Sequence, residues 1–192
     1  LNNWIPYVKE AVKRYKDFPK YWEVWNEPNI GFWTGTLEEY AELLRETYRA
    51  IKEVDETAKV VMGGTAGTDL RFIEELYKRD IPFDIVNIHP YGYPAPPESY
   101  LEGQINACRE LMSKYGDEKK PIWITEYGWP NHIGSNGVDI ITQANYIVRA
   151  FLIALGAGVE KVFWYDYQNG PDPSYNEHNF GIVYMGDIPE VM

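Results

Sequence analysis

The chain has 192 residues, 45% of them hydrophobic and 24% charged, which excludes a disordered chain and fits one domain with a substantial core. A formal net charge of −11, offset by no block of Lys or Arg, excludes nonspecific attraction to nucleic acid or to an anionic membrane, so a neutral ligand fits better. The lone cysteine, Cys108, excludes an internal disulfide and, with no Cys or His cluster around it, a zinc site.

In chain order, a leading helix is expected over 4–16, then a strand over 20–26 and a helix over 37–53 carrying Leu37, Tyr40, Leu43, Leu44, Tyr48 and Ile51 at helical spacing. Thr36 followed by Glu39 has the form of a capping box. A strand over 58–63 precedes a helix over 69–79. Next come a strand over 83–89 and a helix over 98–115 that holds Cys108 as a small buried residue. A strand over 121–126, a helix over 139–155 and a strand over 160–166 complete the series. Gly116 and Gly156 stand where helices should stop. Alternation of this kind implies parallel strands with right-handed crossovers. No run approaches the ~20 apolar residues of a membrane span, and Leu1 to Glu10 lacks the charged start and apolar run of a signal peptide.

The connections are of two kinds. Helix-to-strand turns such as Asp55-Glu56-Thr57 and Lys78-Arg79-Asp80 are short and bland. The strand-to-helix segments instead read Asn29-Ile30-Gly31-Phe32-Trp33, His89-Pro90-Tyr91-Gly92-Tyr93, Tyr127-Gly128-Trp129-Pro130-Asn131-His132 and Tyr167-Gln168-Asn169-Gly170. In a parallel α/β protein that face is where sites are built. Two carboxylates are delivered to it. Glu27 ends Tyr21-Trp22-Glu23-Val24-Trp25-Asn26-Glu27-Pro28, and Glu126 ends Pro121-Ile122-Trp123-Ile124-Thr125-Glu126. Paired acids among aromatic rings suit glycosidic bond cleavage, and 7 Trp with 16 Tyr supply surfaces on which sugars stack. Glu23, two pleats below on the same strand, points to the same side and reads as a structural partner in the floor. Trp4, Trp22 and Trp123 read as packing residues. Gly63-Gly64-Thr65-Ala66-Gly67 does not fit a dinucleotide fingerprint, and no Gly-x-Ser-x-Gly elbow occurs. The glycine pair reads instead as a place where a strand passes close beneath its loop.

Trp-Asn-Glu-Pro at 25–28, His-Pro-Tyr at 89–91, Ile-Thr-Glu-Tyr-Gly-Trp at 124–129 and Phe163-Trp164-Tyr165-Asp166 resemble clan A glycoside hydrolases, most closely family 39, with family 5 next. The resemblance implies a (β/α)8 TIM barrel in which the acid/base glutamate follows the fourth strand and the nucleophile the seventh. The chain would then be a fragment of one catalytic domain over 1–192, holding strands four to eight and the intervening helices and lacking the first three strands and the final helix. It implies a retaining O-glycosyl hydrolase for polysaccharides or oligosaccharides, with Glu27 as acid/base and Glu126 as nucleophile. A non-catalytic carbohydrate-binding barrel is the alternative. Asn26 would bind the sugar 2-hydroxyl, Tyr91 would orient Glu126, His89 would line the same subsite, and Trp164 would form the floor under the sugar. Trp33, Trp129 and His132 are further substrate-binding candidates. No cofactor or metal is implied. An extracellular or periplasmic location follows from family habit alone.

Overall fold

The computed structural model describes residues 1–18, 20–132 and 134–183. Helix α1 spans Trp4–Tyr15, strand β1 Tyr21–Val24, α2 Leu37–Val54, β2 Lys59–Met62, β3 Thr65–Ala66 and α3 Leu70–Lys78. Then follow β4 Val86–His89, α4 Leu101–Lys114, β5 Ile122–Tyr127, α5 Ile140–Gly156 and β6 Lys161–Trp164. Strand β2 lies within the expected 58–63 run, whereas β3 follows Gly63-Gly64 and lies beyond it. All named pairings are parallel, in the order β1-β2 and β3-β4-β5-β6. The Val61–Ile85 bridge joins the two groups.

Local chemistry sets the element ends. The Thr36–Glu39 capping box is formed in both directions. Asp69 and Asp139 cap α3 and α5 by accepting backbone N–H groups. Gly116 takes a φ of +77° just after α4, as a helix stop requires. Helix α5 ends at Gly156, where a stop was expected, and the left-handed turn follows at Gly158, with φ +81°.

Alternation along the strands divides the molecule into two layers. Val24, Val60, Met62, Val86, Ile88, Ile122 and Ile124 join the core against the helices, which also holds Cys108 on α4. Val61, Ile85 and Trp123 form a separate inner cluster. There the Tyr21 ring lies 4.7 Å from Trp123, and the Lys161 ammonium sits 4.2 Å and 4.5 Å above those two rings. Among the described residues no helix is long and apolar enough to cross a membrane.

Candidate active site

The carboxyl ends of the strands converge on a cleft of about 690 Å³. Beyond β1 the chain turns sharply: Trp25 and Glu27 both adopt left-handed backbone, with φ of +73° and +45°. Non-glycine residues in that region carry a conformational cost of order 1–3 kcal/mol. The Glu27 N–H donates to the Gly64 carbonyl at 2.9 Å, which holds the turn in place and leaves Glu27 only 8% exposed. Glu126 reaches the same point by a different device. A register shift in β5 between Ile124 and Tyr127 interrupts strict alternation, so both Thr125 and Glu126 approach His89.

His89, the last residue of β4 and 1% exposed, stands between the two acids. Its Nδ1 is 3.0 Å from Glu27 Oε1 and 3.5 Å from Glu126 Oε2. Its Nε2 is 3.0 Å from the Thr125 hydroxyl. The Tyr91 hydroxyl donates to Glu126 Oε1 at 2.9 Å. Oxygens of the two carboxyls approach within 4.8 Å. Burial pushes the Glu126 carboxyl above its ordinary range and the charge of Glu27 adds to this, while His89 and the Tyr91 hydrogen bond oppose it. Burial, followed by the charge of Glu126, likewise raises the Tyr91 phenol. Glu27, His89 and Glu126 offer metal-type ligand atoms, yet both His89 nitrogens lie at hydrogen-bond distance from protein oxygens. The trio is already engaged as a hydrogen-bonded acid pair.

The glycine pair has a steric reason. A side chain on Gly64 would overlap the His89 ring, and one on Gly63 would meet the Val24 carbonyl and the Tyr40 hydroxyl. That hydroxyl donates to the Val24 carbonyl at 3.1 Å and accepts from the Gly63 N–H at 2.9 Å, tying β1 to β2 directly below the site.

Asn26, Glu27, Tyr91 and Glu126 line the cleft, with His89 buried behind the acids. The tryptophans do not line it. Trp129 is fully buried, donates to the Ala95 carbonyl and packs against Tyr146 of α5 and against Trp164. It has no face left for a sugar, which corrects the expectation of a subsite wall. Trp164 is stacked on Trp129 and bonded to the Phe180 carbonyl at 3.0 Å; its successor Tyr165 turns into the cleft. Trp33 is edge-on to Trp25 and Tyr40 and donates to the Thr36 carbonyl, a packing role, and its neighbour Phe32 faces the cleft. His132 bonds Asn176 Oδ1 through Nε2 and accepts the Gly134 N–H at Nδ1, so it ties two loops together. The aromatic lining comes instead from Phe32, Tyr91, Tyr93, Tyr165, Tyr175 and Phe180, with Asp166, Glu177 and His178 as polar members. All lie in or after strand-to-helix segments, which was the available signal; nothing in a single sequence says which ring of an adjacent pair turns inward.

A parallel α/β sheet with helices on one side, and two carboxyls meeting at the carboxyl ends of its strands, defines a partial (β/α)8 domain with a ring-lined acidic cleft. The profile described as Glycosyl hydrolases family 39 matches residues 4–167, and the chain belongs to that family. A curated relative, the beta-xylosidase of Caldicellulosiruptor saccharolyticus, is 42% identical over 95% of this chain and 42% of its own length. Among solved structures, a family 39 glycoside hydrolase from Bacteroides cellulosilyticus WH2 superposes with a TM-score of 0.78 at 28% identity, covering 92% of this chain and 39% of the other. A monomeric beta-xylosidase from Caulobacter crescentus CB15 gives 0.73 at 25% identity, over 95% and 42%. The chain thus spans about two fifths of the length of the relatives it matches.

Proposed function

We propose that the protein carrying this chain is a retaining O-glycosyl hydrolase of oligosaccharides or polysaccharides, with a β-linked xylosyl unit as the leading substrate. The observation that carries the reading is the approach of the Glu27 and Glu126 oxygens to within 4.8 Å. Retaining enzymes hold their carboxyls about 5–5.5 Å apart, whereas inverting ones leave about 6.5–9.5 Å for a water molecule. The xylosyl preference rests on the identity to a beta-xylosidase. Residues 1–192 are read as part of one catalytic domain, the described strands being the fourth to the eighth of the barrel.

In this reading Glu27 gives its proton to the glycosidic oxygen as Glu126 attacks the anomeric carbon, and the leaving sugar departs. Water then attacks that carbon, its proton passes to Glu27, and the bond to Glu126 breaks. Tyr91 holds the attacking carboxylate in one orientation. Asn26 meets the 2-hydroxyl, and the rings of Tyr165 and Phe32 take the stacking role first expected of Trp164 and Trp33.

The test is proton NMR of the first anomer released by the full-length enzyme from aryl glycosides, aryl β-xylosides included. Retained configuration supports the reading and inverted configuration refutes it. Glu126→Ala should lose turnover and recover it with azide, giving a glycosyl azide of inverted configuration; a folded variant that azide fails to rescue counts against the nucleophile.

A further inference from the structure

Beneath the two acids lies a connected set of hydrogen bonds whose directions can be assigned. The Thr125 N–H donates to Asn87 Oδ1 at 3.2 Å, which fixes the orientation of that amide. Asn87 Nδ2 therefore donates, to Glu23 Oε1 at 2.7 Å and to Thr125 Oγ1 at 2.7 Å. The Gly64 N–H also donates to Glu23 Oε1, at 3.2 Å. With two N–H groups converging on it, that oxygen is an acceptor, and the Thr125 hydroxyl 3.1 Å away donates to it. Thr125 has then spent its hydrogen on Glu23 and one lone pair on Asn87. What remains for His89 Nε2, 3.0 Å away, is the second lone pair, so Nε2 carries a hydrogen. A neutral imidazole protonated at Nε2 has a bare Nδ1. That Nδ1 faces Glu27 Oε1 at 3.0 Å, and with the ring neutral the hydrogen between them is the one carried by Glu27.

We propose that Glu23 is a positioning residue for proton transfer: through Thr125 it fixes the His89 tautomer whose Nδ1 accepts the proton held by Glu27. The inference rests on the acid/base role given to Glu27 above. It explains both halves of the cycle. Before the first step the chain from Glu23 to Nδ1 keeps Glu27 in its acid form. After the proton has gone to the leaving oxygen, the new carboxylate faces a bare nitrogen lone pair, which makes it a stronger base toward the incoming water. Although Glu23 as a residue is exposed along the open inner side of the strands, desolvation of its carboxyl pushes it up, opposed by the Gly64 and Thr125 hydrogen bonds. The other titratable groups around Glu27 are Glu126 on β5 and, across the cleft, Tyr91, Tyr93, Tyr165, Asp166, Tyr175, Glu177 and His178. None of these is bonded to Thr125 or Asn87 among the described residues.

The experiment measures kcat/KM against pH in the full-length enzyme and three variants, with aryl glycosides of poor and good leaving groups. Glu27→Gln should abolish the alkaline limb seen with poor leaving groups; if it leaves that limb intact, the acid assignment falls and this inference with it. Glu23→Leu removes the acceptor and frees the Thr125 hydroxyl to donate to His89 Nε2, so Nδ1 becomes a donor and favours ionised Glu27. The alkaline limb should then move down by about one pH unit, with activity largely retained on its acid side and little change for good leaving groups. Thr125→Val breaks the chain while keeping the Glu23 charge, and should move the limb the same way. A pH-independent loss with the limb unmoved would assign Glu23 a structural role only. A shift in Glu23→Leu without one in Thr125→Val would reduce the effect to charge and overturn the tautomer assignment.

Discussion

Gly64→Ala isolates how far the chemistry depends on the exact seat of one imidazole. The added methyl would overlap Nε2, Cδ2 and Cε1 of His89, a rigid ring that is 1% exposed and held at both nitrogens. It cannot swing into solvent as a long flexible side chain would, so the ring or the β2–β3 junction must move. Overpacking of this kind costs about 1–3 kcal/mol. Movement of the ring also carries Glu27 with it, since Gly64 accepts from the Glu27 N–H. A displacement near 1 Å in a catalytic constellation can cost about a hundredfold in rate. Gly116→Ala is the control. It has open space around it but a φ of +77°, so it should lose roughly 1–2 kcal/mol to left-handed strain, far from the cleft. Denaturant midpoints and kcat/KM on an aryl glycoside would be measured for both variants in the full-length enzyme. Similar losses of stability, with the activity loss confined to Gly64→Ala, is the expected result. Equal activity in the two variants would refute the coupling between His89 and the acid pair.

Tyr91→Phe removes the hydrogen bond that lowers Glu126. Its carboxyl should then ionise at still higher pH, so the acid limb of kcat/KM moves up, and a downward shift in the profile would contradict the assignment. Trp129→Ala should cost about 3–5 kcal/mol in stability because the ring is wholly buried; a stable variant with a raised KM alone would restore the subsite role. Tyr40→Phe leaves the Val24 carbonyl and the Gly63 N–H without their shared partner, at a cost of about 1–3 kcal/mol in chemical denaturation. The Arg149–Glu98 pair, about half exposed on both sides, should leave the denaturation midpoint nearly unchanged on Arg149→Ala despite its two short contacts.

The five helices and the strand order were legible because period and punctuation agreed: apolar spacing over 37–53, a capping box at Thr36, Gly116 after α4. Glu27 and Glu126 were legible as a pair because each stands at the end of a strand-like run, Glu27 before Pro28 and Glu126 after the apolar Ile122–Ile124. What could not be read was conformation that breaks the period. Strict alternation with Thr125 inward would turn Glu126 toward the helices, and only the register shift in β5 brings both to His89. The tryptophans failed for a related reason. A ring large enough to stack on a sugar is also large enough to fill the space between sheet and α5, and Trp129 and Trp164 do so as a stacked pair, leaving the smaller Tyr165 to face the cleft.

The division of labour between the layers follows from where each strand ends. Outward residues such as Val60, Ile88 and Ile124 are apolar and hold the helices. Inward residues change character along the strand, from Tyr21, Val61, Ile85 and Trp123 at the floor to Glu23, Asn87 and Thr125 one step up, and then to Glu27, His89 and Glu126 at the cleft. The middle layer is polar yet reaches the cleft only through His89. Its donors and acceptors are satisfied by one another, with Asn87 making three contacts and Thr125 Oγ1 three. A polar layer that served packing alone could be replaced by apolar side chains at little cost, because a half-satisfied network is worse than none. A layer whose hydrogen-bond directions end on the proton of Glu27 has a chemical reason to be polar, and that reason places the start of the site deeper in the strands than the acids themselves.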